Sequence, residues 1–165
     1  MAPPTVIDAN CLKYFQDERV AGTSGVYSAM IGKVQEKGCL AVDDEGHAQQ
    51  EYNDCCRPSA VGLNLCDWIA DQIVERFIVL FPMDKSASVD LKKLGVPKKD
   101  QKWPAIAKGA QADFILTEDI DLFDPKAKAF KSAAKAKIKA GGGPVSKYLA
   151  KQHGINVSTA EDFLK

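Results

Sequence analysis

No stretch of this 165-residue chain is long and apolar enough to cross a bilayer, so no membrane-spanning helix is expected. The start, Met1-Ala2-Pro3-Pro4-Thr5, has neither the basic opening nor the apolar run of a secretory signal. A C-x-x-C pair is missing too. The five cysteines (11, 39, 55, 56 and 66) are odd in number, and two are adjacent, which suits neither a disulfide framework nor a zinc site. Buried reduced thiols and a cytoplasmic location are the expectation. Gly141-Gly142-Gly143-Pro144 lacks the lysine and hydroxyl of a phosphate-binding loop and is no dinucleotide fingerprint, so it reads as a flexible break. There is no repeat of fixed period and no separate nucleic-acid-binding domain.

Net charge is missing as well, with 22 basic against 22 acidic residues, but the balance hides an asymmetry. Between Lys126 and Ala160 there are eight lysines and no acid, so the remainder holds 14 basic and 22 acidic residues, a net of −8. A cationic segment on an acidic body suits a polyanionic partner, and equally a solvated helix face. The length fits one domain covering residues 1–165, burying roughly 70% of its unfolded surface, with a lysine-rich helical insertion at about residues 126–151.

Short apolar runs alternate with helical patterns. Strands are expected at residues 5–7, 39–42, 77–81, 114–117 and 155–157. Val26, Met30, Ile31 and Val34 recur at helical spacing over 26–37, before Gly38. Residues 63–76 carry the strongest stripe, with Leu65, Trp68, Ile69, Ile73 and Val74, after a break at Pro58. Asp100 opens a further helix with Pro104 in its first turn. The segment 84–99 is polar. This alternation predicts an α/β fold, a three-layer α/β/α sandwich around a central parallel sheet.

Two of the apolar runs end in acid. Val6-Ile7 leads to Asp8, and Phe114-Ile115-Leu116 leads through Thr117-Glu118 to Asp119 and Asp121. If these strands are parallel neighbours, their acids meet at the carboxyl edge of the sheet, where open α/β sheets bind ligands. Glu51 lies on the helix after the second strand, and Asp100 opens the helix before the fourth. Carboxylates gathered in one cleft repel and raise one another's pKa. A hard divalent cation relieves the conflict, and Mg²⁺ or Mn²⁺ on few carboxylates keeps open positions for a phosphate. The candidate ligands are Asp8, Glu51, Asp100 and Asp119, with Asp121 supporting directly or through water. Asn10 and Thr117 are supporting positions.

These stretches, in this order, resemble the PIN domain, a family of metal-dependent ribonucleases and flap-type nucleases. The residues that carry the resemblance are Val6-Ile7-Asp8-Ala9-Asn10, Glu51-Tyr52, Asp100-Gln101-Lys102-Trp103 and Ala112 to Asp121, with Phe163-Leu164 resembling the terminal strand and tail. The last acidic stretch is the most specific. The resemblance implies cleavage of single-stranded RNA and frequent pairing into dimers. In bacteria it includes toxins held inactive by an antitoxin. The lysine-rich segment is longer than compact members need.

Blander roles stand beside these. Asp8 and Asp100 could each be a helix N-cap. Asp43 or Asp44 could cap the helix that carries Glu51. Asp113 could replace Asp100 as the third acid, although it precedes its strand and is expected at the opposite sheet edge. His47 stands four residues before Glu51 and is expected in solvent, His153 has no partner in sequence, and nothing marks Cys11 as a nucleophile. Lys131, Lys135 and Lys139 recur every four residues, opposite Phe130, Ala133, Ala134 and Ile138. That face either tracks a phosphate backbone or keeps the surface soluble. The leading expectation is a Mg²⁺- or Mn²⁺-dependent endoribonuclease; the alternative is a non-catalytic nucleic-acid-binding or scaffold module on the same fold.

Overall fold

The computed structural model describes residues 2–55 and 64–165. Its sheet has five parallel strands: β1 (Thr5–Ile7), β2 (Leu40–Asp43), β3 (Ile78–Phe81), β4 (Phe114–Leu116) and β5 (Asn156–Ser158), in the order β3-β2-β1-β4-β5. Burial follows position in that order. β1 and β2 are buried at every residue, while the edge strands β3 and β5 each show exposed residues. Central strands covered on both faces must be apolar throughout, which is why they read as continuous runs.

Between β1 and β2 lie α1 (Ala9–Ala21) and α2 (Val26–Lys37). Between β2 and β3 lie α3 (His47–Cys55) and α4 (Leu65–Val74). The passage to β4 carries α5 (Ser88–Lys93), a 3-10 turn (Lys98–Asp100) and α6 (Lys102–Ala110). That to β5 carries α7 (Ser132–Gly141) and α8 (Pro144–His153), and α9 (Ala160–Leu164) closes the chain. The chain moves outward from β1 in one direction to β2 and β3, then crosses to β4 and β5 on the other side. Right-handed crossovers therefore place the first two helix pairs on one face and the next two on the opposite face. The result is the expected three-layer α/β/α sandwich, and its direction of winding switches between β1 and β4.

Most expected elements stand within a residue or two of their bounds. The stripe of α2 is narrower than its spacing suggests. Met30, Ile31 and Val34 are buried, but Val26, in the exposed first turn, is 41% exposed. In α4, Leu65 and Ile69 are buried and Trp68 and Ile73 pack on the core, while Val74 in the last turn has turned outward. The expected break at Pro58, the helix start at Leu63, and Cys56 fall outside the described residues. Helix α5 forms inside the stretch that reads as polar, with Leu91 as its one buried residue. One inward side chain in six residues is too weak a pattern to find by periodicity. The tail expected at Phe163-Leu164 is helical, α9, and buries Phe163 edge-on against the Phe114 ring.

Helix α6 is the central helix of its face. Trp103, Ile106, Ala107 and Ala110 are buried against β1 to β4. It approaches so closely that a Cβ at Gly109 would collide with the Pro82 carbonyl. The lysine-rich α7 buries no residue completely. Its Ile138 leans on a small satellite cluster of Ile120, Phe123 and Ala127. Phe130, expected on the apolar side of that helix, precedes it and is 51% exposed. Among the described residues, no helix is long and apolar enough to cross a membrane. Cys11 is buried, Cys39 is partly so, and Cys55 and Cys66 are exposed, all as free thiols.

Candidate metal centre

Strand register sets up the site. Ile7 stands opposite Leu116, so the next residues, Asp8 and Thr117, leave the sheet side by side at its carboxyl edge. The Asp8 amide donates to the Leu116 carbonyl at 2.9 Å, extending the ladder by one step. The Thr117 hydroxyl then donates to Asp8 Oδ2 at 2.7 Å and accepts from the Asp119 amide at 2.9 Å. One hydroxyl thus fixes both the carboxylate of β1 and the turn after β4. Asp8 holds the N-cap position of α1, yet its side chain accepts no bond from that helix. It is 5% exposed.

The turn after β4 delivers two acids. Asp119 caps the 3-10 turn Ile120–Leu122 by accepting from the Asp121 amide at 3.0 Å. Glu118, between Thr117 and Asp119, takes another direction and accepts from the Ala160 amide. From the opposite face, the turn Lys98–Asp100 supplies Asp100 just before α6, whose N-cap is Gln101. The ligand oxygens of Asp100, Asp119 and Asp121 all lie within 4.8 Å of one another. Asp100 and Asp121 are buried, at 5% and 2% exposure. Among the described residues, Asp100 Oδ2 has no hydrogen-bond partner, and the indole N–H of Trp103, three positions on in the chain, is also buried and unpaired.

Electrostatics tie Asp8 and Glu51 to this trio. Burial pushes the Asp8 carboxyl up to about 7; the Thr117 bond opposes this, and Asp119, Glu51 and Asp100 add to it by repulsion. Asp100 rises to about 6, through burial first and then repulsion from Asp119, with Lys99 opposing and Asp121 and Glu51 contributing. Asp8 and Glu51 are thus near enough to repel the trio, while the close group among the described residues is Asp100, Asp119 and Asp121. Glu51 comes from α3 and is already engaged, its Oε1 2.8 Å from Lys102 Nζ. Asp121 lies 3.6 Å from Lys128 Nζ. These two lysines could not have been singled out from spacing, because Lys102 meets Glu51 across 51 positions of chain.

The remaining candidates lie elsewhere. Asp113 precedes β4 at the amino edge of the sheet and pairs with Lys37 at 2.6 Å, so it cannot stand in for Asp100. Asn10 accepts from the Glu118 amide at 3.4 Å, joining the ends of β1 and β4. Lys131 is the exposed residue before α7. Lys135 and Lys139 line a different hollow, of about 480 Å³, with Tyr27, Glu118, Glu161 and Asp162. His153 meets the Tyr148 hydroxyl at 3.1 Å. A second acidic group, Asp43, Glu45 and His47, follows β2 on the same sheet edge. There Asp43 caps α3, accepting from the amides of His47 at 2.9 Å and Ala48 at 2.8 Å. The imidazole of His47 lies 3.0 Å from the Glu45 carboxylate, and both are about half exposed.

The donor set of the main cluster is all carboxylate oxygen, which suits Mg²⁺, Mn²⁺ or Ca²⁺ rather than zinc. An unpartnered buried carboxylate oxygen is costly unless something compensates it. A hard cation fits that deficit. The class that fold and site define is an open parallel α/β protein with a carboxylate cluster at its topological switch point. No protein-family model matches this sequence, and no curated protein matches it.

Proposed function

We propose that this chain is a metal-dependent endonuclease on a PIN-like domain, hydrolysing phosphodiester bonds of single-stranded RNA. The observation that carries the reading is Asp100 Oδ2, buried and without a hydrogen-bond partner among the described residues, close to the carboxylates of Asp119 and Asp121. Asp8, Asp100 and Asp119 would hold Mg²⁺ or Mn²⁺, with Asp121 supporting and Glu51 joining when it leaves Lys102. A divalent ion there supplies charge neutralisation for a phosphate and a nucleophilic water at neutral pH.

The chain's own part is positioning. Thr117 fixes Asp8 through Oδ2 and leaves Oδ1 for a ligand. The same hydroxyl holds the Asp119 amide, so the two acids keep their separation. Lys102 and Lys128 offset charge on Glu51 and Asp121. The toxin-type form of this reading adds a homodimer, an antitoxin-like inhibitor protein and a cytoplasmic site of action; a small co-purifying protein is the sign of the inhibitor.

The test is cleavage of a labelled single-stranded RNA in Mn²⁺ or Mg²⁺, by wild type and by Asp8→Asn. Wild-type cleavage that vanishes in the variant and in chelator supports the proposal. Equal rates in the two proteins would sink it. One observation favours a second reading, a non-catalytic nucleic-acid-binding module: lysines already neutralise two of the five acids. Binding of RNA with no turnover in either ion would favour that module.

A further inference from the structure

A second hollow opens beside the acid cluster, with a volume of about 720 Å³. His47, Lys85, Lys98, Lys99 and Lys102 line it, and among the described residues no carboxylate does. Its apolar floor includes Met83, two residues past β3, and Ala105 of α6. Two links join it to the acids. Lys98 and Lys99 share a 3-10 turn with Asp100. Lys102, on the first turn of α6, reaches Glu51 at 2.8 Å.

The two lysine-lined hollows differ in charge balance. The hollow under α7 is lined by Lys135, Lys139 and Lys165 together with Glu118, Glu161 and Asp162, an even balance of charge, and Lys165 pairs with Asp162 at 3.0 Å. In the hollow beside α6, Lys102 is paired with Glu51 and Lys85 lies 3.9 Å from Glu45. Lys98 and Lys99 are exposed and make no ion pair among the described residues. Lys99 is near enough to Asp100 to hold its carboxyl down somewhat, but neither lysine is locked in an ion pair. Cations left without a close partner over an apolar floor suit a phosphate backbone whose bases lie on apolar side chains.

We propose that this hollow is the binding track for a single-stranded nucleic acid, with Lys98 and Lys99 on the phosphodiester groups next to the bond presented to the acid cluster. The placement of the scissile bond rests on the nuclease reading; the track itself needs only a single-stranded polyanion. Two lysines one and two residues before the buried Asp100 raise the local concentration of an anion that the acids alone would repel.

The experiment measures binding of a fluorescein-labelled 12-nucleotide oligouridylate to the full chain in chelator, where an ion-dependent nuclease cannot cut. Anisotropy titrations are run across a salt series. Lys98→Ala/Lys99→Ala is compared with Lys131→Ala/Lys135→Ala/Lys139→Ala, with circular dichroism melts to show that both fold. The first variant should bind about tenfold or more weakly, and its log–log salt slope should be shallower by about 1.4, from about 0.7 per single-strand phosphate contact. The second should change affinity less than about threefold. Wild-type affinity and slope in the first variant would overturn the track, as would a larger loss in the second, equal affinity for the matching duplex, or no wild-type binding. Binding lost in the first variant, together with no wild-type cleavage in Mn²⁺, would keep the track and remove the nuclease.

Discussion

Asp8 and Asp43 end neighbouring parallel strands, and counting on from Thr5 opposite Leu40 brings them level. Both are buried, and a helix follows each. Yet they do opposite things. Asp43 turns into the start of α3, where two backbone amides satisfy it, so its burial stabilises the helix. Asp8 ignores α1, takes a bond from Thr117, and is raised to about 7 by burial, with repulsion from Asp119, Glu51 and Asp100 adding to it. Burial is common to the two acids; compensation is what separates them. The main cluster is mixed in the same way: Asp119 accepts a backbone amide and Asp121 lies near Lys128, while Asp100 Oδ2 has no hydrogen-bond partner among the described residues.

The sharpest way to break this comparison is to neutralise each aspartate in turn. Asp8→Asn should lower Mn²⁺-dependent cleavage by roughly a thousandfold or more, because the ion's several kcal/mol of transition-state stabilisation would be lost. Its ion-free melting temperature should stay level or rise, since a repelled charge has gone. Asp43→Asn should do the reverse. It weakens a cap, costing about 1 kcal/mol of stability, and leaves cleavage per folded molecule within about twofold. Cleavage lost in Asp43→Asn at unchanged stability would overturn the distinction.

A pH series applies the next test, on the fold itself. The unfolded value for both Asp8 and Asp100 is 3.8, and the folded values are about 7 and about 6. Between these limits the native chain holds more protons than the unfolded one. The stability tied to these protons is therefore fully present below about pH 3.8 and is lost as pH rises through about 6 and then about 7. From about pH 5 to about pH 8, Asp8 alone should remove about 3 kcal/mol from the ion-free protein. Mn²⁺ should restore it, so the gain in melting temperature on adding the ion should grow with pH. Asp8→Asn should flatten that growth. An ion effect that is the same at both ends of the range would argue against a cation in this cluster.

The sequence was informative where one physical rule decides one feature. Continuous apolar runs at Val6-Ile7 and Phe114-Ile115-Leu116 located the central strands, because strands covered on both faces admit little else. Parallel order then brought Asp8 and Asp119 to one edge. Asp100 and Asp113 differ for the same reason, one reaching the carboxyl edge and the other the amino edge. What stayed hidden depends on rotamers and on distant partners. Nothing in the spacing of Glu51 and Lys102 announces their contact, and no pattern separates the cap bonds of Asp43 from the absence of any at Asp8. The basic stripe of α7 was visible as Lys131, Lys135 and Lys139, but the acids that offset part of it come from α9 and the end of β4.

Thr117 offers a smaller and more selective perturbation. Thr117→Val removes a hydroxyl that donates to Asp8 and accepts from Asp119 without changing the side chain's shape much. Orienting partners of metal ligands typically contribute about 10–100-fold in affinity or activity. Cleavage should fall by about that factor, and the Mn²⁺ concentration for half-maximal rate should rise. Thr117→Ser, which keeps the hydroxyl, should recover most of both. If valine and serine behave alike, Thr117 is only filling space beside the sheet.

The smallest expected effect is at Glu45, in the second acidic group on the same edge. Its carboxylate meets His47 and, more distantly, Lys85, and the Glu45 and Lys85 side chains are 53% and 63% exposed. Exposed pairs of this kind contribute about 0–1 kcal/mol, and Asp43 already spends both oxygens on backbone amides. Glu45→Gln should therefore shift stability by less than about 0.5 kcal/mol and leave the Mn²⁺-induced rise in melting temperature unchanged. A clear fall in that rise would show that the ion binds beside β2 after all, and a compensated carboxylate would then be as good a ligand as an uncompensated one.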